Sequence, residues 1–179
     1  MKNNNKGFSL VELLVVIAIM GIVAVVSSLS YSAVRRADVT KAARTIDSVM
    51  SEVRMNNMSK ADPEYLYIYE DNGSYYYKVT GKKARNIFDI TGRASEEAVE
   101  LCSDSIEIGF ESESVDANNM DNPGQFLAIS FEKSTGAFKC FSATRTYVDD
   151  IGLEKIKFSR SGKESIITVA TDTGKHVIS

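Results

Sequence analysis

The sequence predicts an α+β protein: a long N-terminal helix, apolar in its first part and amphipathic in its second, packed on a mainly antiparallel β-sheet head. Three observations carry this. No Pro interrupts Phe8 to Lys60, and Gly21 is the only Gly there, so one continuous helix is expected to end before Ala61-Asp62-Pro63. From Tyr65 onward the apolar period changes from helical toward two, with turn residues between the runs. Finally, Val39, Ala42, Ala43, Ile46, Val49, Met50 and Val53 recur at three- and four-residue spacing. That stripe needs a cover, and a sheet with one apolar side supplies it.

The first element holds the most informative residues. Phe8 to Val26 carries no charge except Glu12 and no Pro. At 1.5 Å per residue, about twenty such residues match the hydrocarbon thickness of a bilayer. An acidic residue well inside an apolar membrane helix costs roughly 2.5 to 3.5 kcal/mol, so Glu12 normally marks a function; at the headgroup level of a plain anchor its cost is small. A cleavable secretory signal would place a small-x-small site after its apolar core. Ala24, Ser27 and Ser28 are small, but helix-compatible apolar sequence continues through Leu29, Tyr31 and Val34. The conspicuous small residue beside the basic leader is Gly7, in front of the core.

Leader charge, Gly7, aromatic Phe8 and acidic Glu12 stand in one register, and here the chain resembles the class III signal of type IV prepilins and type II secretion pseudopilins over about its first twenty-five residues. The resemblance implies that a membrane-embedded prepilin peptidase cuts between Gly7 and Phe8, that Phe8 is N-methylated, and that the apolar helix stays as membrane anchor and assembly surface. It also implies a role for Glu12. The new Phe8 ammonium of one subunit and the carboxylate of the next attract strongly in an apolar setting, where either alone is costly. Glu12 is thereby expected to register neighbouring subunits.

The resulting organisation is a leader over 1–7, a transmembrane and assembly helix over 8–30, an amphipathic continuation over 31–60 and a β-rich head over 61–179. About 120 residues are enough for one domain with its own core. The net charge is −3, and acids and bases are interspersed, which argues against a strongly electrostatic nucleic-acid surface. The two cysteines, Cys102 and Cys140, both fall in the head. In an oxidising compartment a disulfide between them closes about forty residues, worth on the order of 3 to 4 kcal/mol; two buried free thiols are the alternative. A single His176, with no Cys or His cluster, supplies no metal centre, and no Gly-rich phosphate loop or catalytic triad is evident. Neither cofactor nor enzymatic activity is expected.

Within the head, Tyr65 to Tyr69 and Tyr75 to Val79 read as a hairpin around Asp71-Asn72-Gly73. The tyrosines read as half-exposed sheet filler, with base or sugar stacking as the functional alternative. Asn86 to Ile90 reads as a short strand, Ser95 to Leu101 as a helical turn or irregular connection, and Ser105 to Phe110 as a strand. The stretch from Glu111 to Gln125 reads as a long exposed loop, whose acids Glu111, Glu113, Asp116 and Asp121 match no defined calcium loop. Further hairpins are expected around Ser134-Thr135-Gly136 and Ser161-Gly162, then a turn over Thr171 to Gly174 before His176-Val177-Ile178. Two sheets and one strongly curved sheet fit equally.

This ending, KIKFSRSGKESIITVATDTGKHVIS, is similar to that of the minor pseudopilin H and FimT-type subfamily. It departs in placing Ser159-Arg160-Ser161 before Gly162, where a Pro is common. The resemblance implies a minor pilin or pseudopilin of a pilus, type II secretion or competence machine. Its partners would be other pilin subunits, prepilin peptidase, the membrane assembly platform and, before assembly, membrane lipid. Its head would lie outside the cytoplasm, in a surface filament or periplasmic pseudopilus. A competing reading is a tip module that binds DNA or another ligand through Arg145, Lys155, Lys157, Arg160, Lys163 and Lys175, with ordinary solvated strand positions as the plainer account.

Overall fold

The computed structural model describes residues 9–84, 87–91, 97–103, 105–112, 118–119, 125–143, 147–148 and 151–179 of the chain. Helix α1 runs from Leu10 to Ser59 without a break, ending just ahead of Pro63 as the sequence requires. The strands follow: β1 (Tyr65–Asp71), β2 (Ser74–Thr80), then a one-turn helix α2 (Ile87–Thr91), β3 (Val99–Ser103), β4 (Glu107–Ser112), β5 (Asn118–Asn119), β6 (Phe126–Phe131), β7 (Phe138–Ala143), β8 (Tyr147–Val148), β9 (Leu153–Arg160), β10 (Lys163–Ala170) and β11 (Lys175–Ile178). The fold is therefore α+β, and the described strand pairs are all antiparallel. The chain divides into two units, Met1–Arg35 and Arg36–Ser179.

In the larger unit the strands form two sheets, one of six in the order β3-β2-β1-β6-β7-β8 and one of five in the order β11-β10-β9-β4-β5. Helix α1 supplies the stripe that links them. Val39, Ala42, Ala43, Ile46, Met50 and Val53 are all buried in one cluster with Leu66, Ile68, Leu127 and Ile129 of the first sheet and Ile108, Phe110, Ile156, Phe158 and Ile167 of the second. Residues three and four apart share a helix face, and alternate strand residues share a sheet face, so the two periods meet in a single core.

Turn chemistry fixes the registers. Asn72 and Gly73 have φ of 51° and 79°, and Ser161 and Gly162 have 49° and 77°. Two consecutive positive φ values give the two-residue hairpin turn whose twist matches the flanking strands. Asp71 is accordingly paired with Ser74, and Arg160 with Lys163. A different constraint acts at Gly174, with φ of 64°, because a Cβ there would lie 2.0 Å from the Gly136 carbonyl oxygen. The two turns meet so closely that Arg54 of α1 donates from Nε to Gly136 O at 3.3 Å and from its other guanidinium arm to Thr173 O at 2.9 Å. The Phe138 amide donates to Thr171 O at 2.8 Å, joining the sheets at the same end.

The exit from α1 is pinned by a buried amide. Asn57 Nδ2 donates to Glu64 O, Ser130 Oγ and Phe131 O at 3.0, 3.0 and 3.2 Å, and its Oδ1 accepts the Glu64 amide at 2.6 Å. Nearby, the Lys60 ammonium 2.7 Å from Glu64 holds that carboxyl below its ordinary value, chiefly by a hydrogen bond, with help from Asn56.

Three sequence expectations are corrected. Ile87 to Thr91 is helical rather than extended: Ile87 and Ile90, three apart, both pack onto the outer face of the six-stranded sheet, while Phe88 between them is 78% exposed. The irregular connection expected through Leu101 is in fact strand β3 from Val99 onward, paired along β2. And the tyrosines are only in part half-exposed filler: Tyr65, Tyr76 and Tyr77 are half-buried, whereas α2 and its approach cover the face that carries Tyr67 and Tyr69. Tyr67 and Tyr69 are buried with Phe126, Ala128 and Phe141, and Tyr67 Oη donates to Lys82 O at 2.9 Å while accepting the Ala84 amide at 2.7 Å.

Candidate assembly site

In the smaller unit, α1 opens at Leu10 behind Ser9, and here the structure adds a feature the sequence reading missed. The Ser9 amide donates to Glu12 Oε2 at 3.0 Å, and the Glu12 amide donates to Ser9 Oγ at 3.2 Å. This is a capping box: the Ser-x-x-Glu spacing satisfies two orphan amides of the first turn reciprocally. It was legible as Ser9-Leu10-Val11-Glu12. The consequence for function is positional. Glu12 is folded back along its own helix toward the N-terminus, with its carboxylate 3.0 Å from the Ser9 amide nitrogen. Gly7 and Phe8 themselves lie outside the described residues.

Behind this acidic tip, the large apolar side chains from Leu10 to Ile22 are exposed, Leu10 and Met20 by 80% and 67%. Such a run is not stable in water as a bare surface. Gly21 has nothing within 4 Å of where a Cβ would stand. Among the described residues, no helix is long and apolar enough to cross a membrane.

Of the six cations named as DNA or ligand contacts, the five described ones are strung along β9, β10 and the start of β11, with Lys163 opposite Arg160, and three of them are committed to ion pairs. Arg145 lies outside the described residues. Lys155 pairs with Glu111 at 2.6 Å, Lys157 with Glu164 at 2.7 Å, and Arg160 with Asp38 at 2.9 Å. The Lys155–Glu111 hydrogen bond raises the lysine pKa and lowers that of the carboxyl. Lys163 starts β10 while Lys175 stands opposite Ala170 at its other end. Seven residues of strand separate the two lysines by about 23 Å. Of the acids weighed for calcium, Glu111 is thus committed to a lysine, and Glu113, Asp116 and Asp121 lie outside the described residues.

The disulfide expectation is corrected as well. Cys102 and Cys140 are both free. They sit on β3 and β7, which are separated by β2, β1 and β6 in one sheet. Four strand spacings come to about 19 Å, against the 4.4–6.8 Å between Cα atoms that a disulfide spans. Burial, with a smaller contribution from Glu100, pushes the Cys102 thiol up to about 12. Both sulfurs belong to the packed core, Cys140 inside it and Cys102 against it. His176 is also structural. Its ring meets Ser51 Oγ at 2.9 Å and Gly174 O at 3.1 Å, tying β11 to α1.

Among known proteins, the profile described as the prokaryotic N-terminal methylation motif matches residues 2–28. The match supports a type IV pilin-like prepilin signal on a subunit that is processed and assembles with others. No curated protein and no solved structure matches the chain.

Proposed function

We propose that this chain is a structural subunit of an extracytoplasmic filament, a minor type IV pilin or pseudopilin serving a pilus, type II secretion or competence machine. Its seven-residue leader is removed between Gly7 and Phe8 by prepilin peptidase, and Phe8 is then N-methylated. The helix from Phe8 holds the subunit in the cytoplasmic membrane, with lipid covering the apolar run, until an assembly platform transfers it into the filament. There the runs of neighbouring subunits cover one another, and each Glu12 takes the Phe8 ammonium of an adjacent chain. No cofactor is needed for this, and the cleavage at the N-terminus of the subunit is carried out by the peptidase.

The observation that carries the reading is the combination of the methylation motif with the Ser9–Glu12 box, which holds a carboxylate at the very end of an exposed apolar helix. A carboxylate there caps the Ser9 amide, but its charge is costly in lipid unless it meets a cation. The minor, rather than major, assignment rests on the ending of the chain: a β9–β10 hairpin about Ser161-Gly162 followed by a tight turn into a short last strand. The test is recovery of the chain, by peptide mapping, in a sheared or pulled-down filament fraction with other subunits. The expected result is its presence at low stoichiometry and its loss when the peptidase is inactivated. Recovery only in membranes, at any peptidase level, would remove the assembly role.

A further inference from the structure

The tip of the β1–β2 hairpin brings together the groups of an intramolecular acyl transfer. Asn72 and Asp71 are exposed. The Gly73 amide donates to Glu70 Oε1 at 2.8 Å, so the one backbone nitrogen able to reach the Asn72 side chain already shares its proton with a carboxylate. The Asn72 side-chain nitrogen, which would leave, donates to Asp71 Oδ1 at 3.2 Å. Residue 73 has no side chain to shield its nitrogen, and the Asn72 side chain that must turn is exposed. Rotation into an attacking geometry therefore costs no core contact.

We propose that Asn72 is a self-modifying site, at which the Gly73 nitrogen closes on the Asn72 carboxamide with Glu70 as general base. The bond formed is Gly73 N to Asn72 Cγ. The amide proton passes to the Glu70 carboxylate and from there to the departing group, the Cγ–Nδ2 bond breaks, and ammonia leaves. Water then opens the cyclic imide at either carbonyl, giving aspartate or isoaspartate at position 72. No oxidant or reductant enters, and the only co-reactant is water, so the step is independent of the assembly reading.

The structural consequence is local and irreversible. A new carboxylate joins Glu70 and Asp71 at the tip, near Glu100, which already accepts from Ser74 Oγ at 3.3 Å. The isoaspartate product adds a methylene to the main chain within a two-residue turn whose positive φ values set the register Asp71 to Ser74. The tip of the hairpin must open, and β1 and β2 stand at the middle of the six-stranded sheet. Asn57, by contrast, is 2% exposed, and its amide is held by the exit of α1. It serves as an internal reference that stays unmodified.

The experiment incubates the purified full chain in detergent micelles in ¹⁸O-water at neutral pH, with peptide mapping over time. A synthetic peptide spanning Glu70 to Ser74 runs in parallel. Asn72 is expected to convert to aspartate and isoaspartate carrying one ¹⁸O, at least as fast as in the peptide. Glu70→Gln is expected to slow it about fivefold in the folded chain, a modest effect for a positioned base, and to leave the peptide rate nearly unchanged. Slower conversion in the folded chain than in the peptide would overturn the proposal, as would a Glu70→Gln chain that converts at the parent rate.

Discussion

Glu12 caps α1, and the proposed function gives its charge a second part in assembly; a pair of substitutions divides the two. In Ser9→Ala the helix loses one capping acceptor, worth about 1 kcal/mol at an exposed helix start, while the Glu12 charge remains. Glu12→Gln keeps an oxygen able to accept the Ser9 amide, now at 3.0 Å from Oε2, but removes the charge. If the charge pairs with a neighbour's ammonium in the assembled filament, its loss leaves that cation unpartnered at about 3 to 5 kcal/mol. With 1.4 kcal/mol per tenfold, Ser9→Ala lowers incorporation about fivefold and Glu12→Gln about 150-fold or more. The assay expresses each variant beside a tagged parent at equal membrane levels and compares the two in the sheared-filament fraction. Glu12→Ala, which loses cap and charge together, is expected to be at least as poor as Glu12→Gln while its head folds normally. Normal incorporation of Glu12→Gln together with impaired Ser9→Ala would refute the reasoning, since capping alone would then account for both residues.

Gly174→Ala places a Cβ 2.0 Å from the Gly136 carbonyl at a positive φ, so the two turns must part and loosen Arg54. A loss on the order of 3 kcal/mol and a Tm lowered by about 6 to 12 °C are expected by calorimetry, and an unchanged Tm would contradict the close approach. Cys102 and Cys140 are expected to resist alkylation in the native chain and to react fully in denaturant without reductant; a linked peptide pair would contradict their separation. The Glu64 pKa is depressed, so its stabilisation is present above the ordinary value of 4.5 and is lost as pH falls below it. Lys60→Met removes the main cause, and its urea midpoint should fall less than the parent's between pH 6 and pH 3.5; parallel falls would show that the pair carries no stability.

The sequence made the long helix and its buried stripe readable because Val39 to Val53 repeat at helical spacing and Pro63 bounds the end. It made two hairpins readable because Asn72-Gly73 and Ser161-Gly162 are the residue pairs that tolerate two positive φ values. Other elements escaped it for physical reasons. Ile87 and Ile90 fit a strand run or a helical turn equally well over five residues, and only the sheet face beneath them decides. Tyrosine suits an exposed or a buried strand position, so Tyr67 and Tyr69 could not announce their cover. Two-residue strands such as β5 and β8 exist through pairing with β4 and β7, which no local pattern encodes. Two cysteines in one domain invite a bridge, and strand order alone separates them. At the candidate assembly site the register of Gly7, Phe8 and Glu12 was plain, while the Ser9 box, although written in the same stretch, was hidden behind the more conspicuous charge.

In the proposed function the mature subunit begins at Phe8, and the mass of its N-terminal peptide is the decisive measurement. Protein extracted from membranes of cells with an active prepilin peptidase is predicted to yield a chain starting at Phe8 with one methyl group on its amine. A chain that retains Met1 to Gly7 under those conditions, or that starts beyond the apolar run, would contradict it.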